Sequence, residues 1–263
     1  MKIAVYSICK DEEANIDGWA ASCYDADYAV VCDTGSTDKT FEKFHNHVDY
    51  LWKITVDPWR FDTAHNVALA LVPADADICI PLHLDERLTP GWRERIEEAY
   101  VANWTQEDGF RRFPNCIWYP YQFDEKTTFL QNRIHGRKGF IWRYPTHEGV
   151  YPYFGTHIVH ATVKGDEPMI VQQQDLTAAH RTGRDDLTKL KFGLEENPGD
   201  SRMMFYLARQ YMLEKRFNEA VPLFQNYLQG EYPNDVANLK TQRDASRYLA
   251  ICFHNLGGGS LDR

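Results

Sequence analysis

Over roughly the first 105 residues, short apolar runs alternate with stretches whose apolar positions recur every three or four residues. The runs KIAVYSI (2–8), YAVVC (28–32), YLWKITV (50–56) and DICIPLHLD (77–85) predict strands. The stretches 12–24, 37–47, 62–72 and 91–104 predict helices. The order β-α-β-α-β-α-β-α calls for a parallel sheet with helices on its faces, and buried parallel strands read as continuous apolar runs, as these do. The pattern changes over 108–163, where aromatics, Pro and Gly crowd FRRFPNCIWYPYQF and GRKGFIWRYPTHEGVYPYFG. Such text predicts antiparallel strands and long loops of the kind that build a substrate pocket. From about residue 185 the spacing is helical to the end.

That helical end has its own signature. Leu207-Ala208-x-x-Tyr211 followed by Ala220-x-x-x-Phe224 matches the helix pair of a tetratricopeptide repeat, and Leu249-Ala250-x-x-Phe253 partly repeats it. The expected organisation is an α/β domain over 1–184 and a helical extension over 185–263. Within the first, 1–105 forms a nucleotide-binding half and 106–184 an acceptor and metal half.

Bulk composition narrows the function classes. The chain has 263 residues, 43% of them hydrophobic and 14% aromatic, enough to fill a core. A formal net charge of −9 disfavours a surface that coats nucleic acid uniformly, so any anionic partner must meet a local basic patch. The six cysteines form no C-x-x-C pair, and three sit in apolar runs, which points to buried free thiols in a reducing compartment. The apolar N-terminus runs into KDEE rather than a cleavage site, and no run approaches the ~20 residues of a membrane span. The expectation is a soluble, cytoplasmic protein with no membrane partner.

Two segments carry chemistry. Asp33-Thr34-Gly35-Ser36 spells the loop of an aspartic protease. Those enzymes need two such loops on a scaffold of strands, and here a single one ends a strand in an α/β region. Ser36, Thr37 and Asp38 follow with helix-start chemistry. Ligands of open α/β sheets sit at the carboxyl ends of the strands, where Asp33 lies. The second segment, PLHLDERLTPGW (81–92), runs a strand into Asp85-Glu86. Two carboxylates past a strand end are costly unless solvated or bound to a hard cation, so a solvated acidic turn and a metal site are both open.

In combination, the motifs S-x-x-K-x-E-E-x-x-I (Ser7, Lys10, Glu12, Glu13, Ile16), V-x-D-T-G-S-T-D-x-T (31–40), A-x-N-x-A-L (64–69) and L-D-E-x-L-x-P-G-W (84–92) resemble family 2 glycosyltransferases of GT-A fold. The segments 132–150 and 205–212 resemble the bacterial and phage branch with a tetratricopeptide-like tail. The resemblance implies a metal-dependent inverting transfer from a nucleoside-diphosphate sugar, a UDP-sugar foremost, with Mn²⁺ or Mg²⁺ as cofactor. It implies that Asp33 holds the base or ribose, with Ser7, Lys10 and Glu12 in the loop beside it. His65-Asn66 stands where the family has Arg-Asn near the diphosphate. Asp85 matches the last Asp of the D-x-D metal motif, whose first position is His83 here, a residue for metal or ribose. His180 matches the His such enzymes bring back to the metal. Glu148, beside His147, matches the family's base, and Asp124-Glu125 is the rival carboxylate pair.

The acceptor is open to a saccharide, a protein side chain or a hydroxymethylated DNA base. Residues 133–164 hold Arg133, Arg137, Lys138, Arg143 and Lys164 against the single acid Glu148, with Trp142, His147 and three tyrosines interleaved. Basic groups among aromatics suit a phosphate and a stacked base, with Arg133, Arg137, Trp142 and His147 as contacts. The same groups also suit the donor diphosphate, or a covering for the sheet. The departures at His65 and His83 keep a second class of function open, a GT-A scaffold without catalysis that binds partners through its helical tail.

Overall fold

The computed structural model describes residues 1–173, 185–230 and 236–257, without the side chains of 236–240. The chain divides into two compact units, Met1–Arg143 with Glu148–Gly183, and Tyr144–His147 with Arg184–Arg263.

In the first unit the predicted alternation is present: β1 (Ile3–Cys9), α1 (Ile16–Ser22), β2 (Tyr28–Asp33), α2 (Thr40–Phe44), β3 (Tyr50–Lys53), α3 (Phe61–Leu71) and β4 (Ile78–Pro81). There follow β5 (Glu86–Leu88), α4 (Trp92–Ala102), β6 (Thr105–Glu107), β7 (Phe110–Arg112), β8 (Cys116–Asp124) and β9 (Thr127–Gly136). The unit closes with β10 (Phe140–Arg143), β11 (Gly149–Pro152), β12 (His160–Thr162) and β13 (Ile170–Gln172). The main sheet runs β3-β2-β1-β4-β9-β8-β13-β5, with β12 also paired to β8. The first four strands are mutually parallel. β9 enters antiparallel to both β4 and β8, so the sheet is mixed rather than wholly parallel.

Both faces are covered, and β1 shows why. Ile3 and Val5 pack on one side with Ile16 and Trp19 of α1, Phe44 of α2, and Trp92 and Ile96 of α4. Ala4 and Tyr6 point the other way, onto Ala68 and Leu69 of α3 and onto Trp142. The period of two sorts one strand's side chains into two cores. Each large apolar side chain so buried contributes about 1.5–3 kcal/mol. All six cysteines are free and buried, as expected for thiols used as small hydrophobes.

Several predicted elements are shorter than expected. The strand over 77–85 stops at Pro81, because the next residues close a turn in which the His83 N–H donates to Glu86 Oε2 at 2.8 Å and the Glu86 N–H to the His83 carbonyl at 2.9 Å. The helix over 12–24 begins only at Ile16, because the residues before it are engaged with the loop after β2. The helix over 37–47 shrinks to α2: Ser36 and Thr37 bond to the loop after β1, and Asp38 alone meets the helix start, accepting from the Thr40 N–H at 2.9 Å.

A polar cluster lies inside the sheet. His135 Nε2 is 2.9 Å from the Tyr6 hydroxyl, which accepts from Trp142 Nε1 at 2.7 Å, and His135 Nδ1 is 2.8 Å from the Gly136 carbonyl. Burial drives the His135 ring pKa from 6.5 down to about 4. A histidine whose folded pKa is depressed binds its proton more readily unfolded, so stability is whole above about pH 6.5 and lost as pH falls toward 4. The full gap corresponds to about 3 kcal/mol, of which about 2 are lost by pH 5. Urea unfolding at pH 7 and pH 5 should show that loss in the parent, and a His135→Asn variant should lack most of it. Equal pH slopes in the two would place the acid sensitivity elsewhere.

The second unit is built by α5 (Asp186–Glu196), α6 (Ser201–Leu213), α7 (Phe217–Gln229) and α8 (Val236–Leu256) around Leu190, Met203, Phe205, Leu207, Phe224 and Tyr227. Asp185 caps α5 through the Thr188 N–H at 3.0 Å, and Asp200 caps α6 through the Met203 N–H at 2.8 Å. The tetrapeptide Tyr144–His147 belongs here: the Tyr144 hydroxyl donates to Asp200 at 2.9 Å, and the His147 ring stacks on Tyr206 at 3.9 Å.

Candidate active site

β1 lies between β2 and β4, so the chain moves from β1 outward to β2 and β3 and then crosses back to β4 on β1's other side. The β1/β4 boundary is a topological switch point, and loops leaving the carboxyl ends of neighbouring strands diverge there to leave a crevice. Ser7 lies within β1 near its carboxyl end, Lys10 follows it, Asp33 ends β2, and His83 and Asp85 follow β4.

Asp33 is held tightly. It is 1% exposed, and its Oδ1 accepts the Gly35 and Ser36 N–H groups at 2.9 and 3.0 Å. Gly35 has φ of 106°, a left-handed conformation that favours glycine. Asp11, which sequence reasoning passed over, ties this loop to its neighbour. Its Oδ1 accepts the Thr37 N–H at 2.6 Å, the Thr37 hydroxyl at 3.1 Å and the Asp38 N–H at 3.4 Å. The Thr37 N–H is the main cause of an Asp11 pKa below the usual carboxylate range. In return Ser36 accepts from the Asp11 N–H and Thr40 from the Glu12 N–H, at 2.9 and 2.7 Å. The Glu12 carboxylate takes Asn15 Nδ2 at 2.6 Å, and the buried Ser7 hydroxyl donates to the Ile8 carbonyl at 3.1 Å. Lys10 is exposed.

The acidic turn splits into two roles. Glu86, 2% exposed, is ion-paired with the half-buried Arg133 and accepts from the Tyr121 hydroxyl at 2.9 Å. Burial resists the charge on Glu86, but Arg133 outweighs it and holds the pKa below the usual range. Neither partner could be removed without stranding the other's charge. Asp85 is half-buried and accepts Gln172 Nε2 at 3.0 Å.

A third cluster lies between α3, the β4 turn and the start of β11. His65 is 2% exposed and stacks on Trp142 at 4.2 Å and 18°. Its ring centroid is 5.6 Å from that of His83, and its Nε2 is 3.7 Å from Glu148 Oε1, beyond hydrogen-bond reach. Neither ring nitrogen of His65 makes a hydrogen bond. Donor atoms of His65, His83 and Glu148 all lie within 4.8 Å of one another. Burial lowers the His65 pKa and keeps the ring neutral at pH 7. Burial also opposes charge on Glu148, but the nearness of the two imidazoles outweighs it and holds the carboxyl below the usual range, so Glu148 is ionised at pH 7.

Several sequence candidates are occupied within the fold. The Asn66 amide clamps Trp142, donating to its carbonyl at 2.9 Å and accepting its N–H at 2.8 Å. Arg137 donates to the carbonyls of Val72 and Ala70 at 3.0 and 3.1 Å. With Arg133 paired to Glu86 and Trp142 2% exposed, the structure does not assemble these three into a surface patch. His147 stacks within the helical unit, and Asp124 Oδ1 accepts the Lys126 N–H at 2.8 Å in an exposed turn. His180 lies outside the described residues.

No protein family model matches the chain. Over 158 residues it is 28% identical to the lipopolysaccharide core biosynthesis glycosyltransferase LpsC of Rhizobium meliloti, covering 58% of each chain. The crystal structure of S. aureus TarS superposes on 97% of this chain and 54% of its own, with a TM-score of 0.52 and 12% identity. A shorter TarS structure, residues 1–349, gives 0.49 with 13% identity over the whole of this chain and 93% of its own. The chain is thus homologous to a glycosyltransferase over part of its length and has a fold similar to that of part of TarS, while spanning little more than half of LpsC and of the longer TarS chain.

Proposed function

We propose that this chain is an inverting GT-A glycosyltransferase that moves a sugar from a nucleoside-diphosphate sugar, a UDP-sugar foremost, to a saccharide hydroxyl. What carries this proposal is the switch point between β1 and β4, where Asp33 and Asp85 stand at the carboxyl ends of the strands flanking β1. Homology to LpsC supports the reaction class, and LpsC's part in lipopolysaccharide core synthesis supports a saccharide acceptor. We read α6 and α7 as a tetratricopeptide-type helix pair appended to the transferase.

Asp33 binds the base or ribose, and Ser7, Lys10 and Glu12 line the same end of the crevice. Asp85 is the residue that would hold a divalent ion, Mn²⁺ or Mg²⁺. It offers a hard oxygen on a half-buried carboxylate, while its neighbour Glu86 is already neutralised by Arg133. Such ions take one or two carboxylates and complete their shell with phosphate oxygens and water. Bound there, such an ion would supply positive charge against that of the leaving diphosphate. In the transfer the acceptor oxygen attacks the anomeric carbon and the bond from that carbon to the diphosphate oxygen breaks. Its electron pair leaves with the diphosphate, and Glu148 takes the acceptor's proton. One in-line displacement inverts the anomeric configuration. His65 and His83 flank Glu148.

The test is UDP release from a panel of UDP-sugars with Mn²⁺, offered saccharides, hydroxymethylated DNA and a peptide in turn. Saccharide-dependent release is the expected result. Release that depends on DNA or peptide would move the acceptor, and donor binding with no release on any acceptor would favour a scaffold without catalysis.

A further inference from the structure

The cluster of His65, His83 and Glu148 is chemically unlike an oxygen-lined cation site. Two imidazoles and one carboxylate form a mixed nitrogen and oxygen set, which suits Zn²⁺ and its neighbours rather than Mg²⁺. Three protein ligands with a fourth position open is the arrangement of reactive zinc sites. We infer that His65, His83 and Glu148 form a binding site for a divalent transition ion of the Zn²⁺ class, with ligands other than Asp85.

Three observations support it. The donor atoms lie within 4.8 Å of one another. A tetrahedral ion with ligand bonds near 2.0–2.1 Å holds its donors roughly 3.3 Å apart, so small side-chain rotations close the set. The His65 ring is 2% exposed and both of its nitrogens lack hydrogen bonds, although a buried polar atom ordinarily has one. Finally, the three residues come from separate elements of one compact unit, and the Asn66 clamp on Trp142 fixes the ring against which His65 stacks. That backing is an aromatic face instead of a carboxylate, so the affinity is expected to fall about 10–100-fold below that of a site whose histidine has an outer-sphere hydrogen bond.

One consequence rests on the role proposed above for Glu148. A carboxylate bound to Zn²⁺ cannot take a proton from the acceptor, so the ion and the acceptor compete for the same residue. Zn²⁺ then inhibits transfer even when Mn²⁺ is saturating.

Binding is tested on the full chain without donor or acceptor, by calorimetric titration with ZnCl₂ and by the visible absorption of Co²⁺ in its place. The expected result is one ion per chain, with at least a tenfold loss of affinity in both His83→Asn and Glu148→Gln. No saturable binding, or binding unchanged in these variants, overturns the inference. Should either variant fail to fold, mass spectrometry of the parent decides instead: Zn²⁺ must protect His83 from diethyl pyrocarbonate, and unchanged modification overturns the site. Because no turnover is measured, Zn²⁺ binding can hold while the transferase proposal falls, and the reverse.

Discussion

Replacing Glu148 by Gln is expected to lower kcat at least about a hundredfold while leaving donor affinity nearly unchanged. The substitution keeps the shape of a side chain packed beside His65 and His83 and removes its negative charge and with it its capacity to accept a proton. Positioned proton transfer contributes ~10²–10⁴-fold, which sets the lower bound. Steady-state kinetics with a saccharide acceptor, and calorimetry with the UDP-sugar, separate chemistry from binding. A variant with normal kcat and only a raised acceptor KM would make Glu148 a binding residue and turn attention to Asp124 and Glu125.

Replacing Asp85 by Asn is expected to remove metal-dependent turnover, a fall of at least about a hundredfold, or ~2.7 kcal/mol of barrier. An Asn at this position can still accept the Gln172 Nε2 hydrogen bond now made by Asp85, so the turn should survive. The readout is kcat/KM across a Mn²⁺ titration, with thermal unfolding as the control for structure. Metal-dependent turnover within about tenfold of the parent would take the ion away from Asp85. The two variants are also distinguishable from each other: loss of Asp85 should weaken nucleotide binding that needs metal, and loss of Glu148 should not.

The alternating strands and helices of the first 105 residues were legible because their signals are local. Apolar runs and their spacing placed β1, β2, α3 and β4, and a motif at a strand end placed Asp33. What sequence could not show is long-range pairing. Arg133 reads as a free cation in a basic stretch, and only the fold brings it beside Glu86, 47 residues away. Asn66 likewise reads as a ligand contact until Trp142, 76 residues on, takes both ends of its amide. The gathering of His65, His83 and Glu148 has the same origin, since residues 65 and 148 meet only when the β10–β11 hairpin folds over α3. β5 was missed because three residues carry no periodicity. Asp11 left a faint signal: the acids of KDEE face the hydroxyls of GSTDKT, and loops of opposite hydrogen-bonding capacity invite pairing.

The stitching of those two loops sets the polarity of whatever binds above them. Backbone amides at Gly35, Ser36, Thr37 and Asp38 all point at the carboxylates of Asp33 or Asp11, and those of Glu12 and Glu13 point at Thr40 and Asp38. A run of amides can form an anion nest, but only while its N–H groups are free. This run has been turned inward onto acids, so it repels phosphate and welcomes groups that donate, such as ribose hydroxyls and a base imide. Under the proposed function, a nucleotide sugar would therefore lie with its nucleoside over the β2 loop and its diphosphate toward β4, on the side of Asp85.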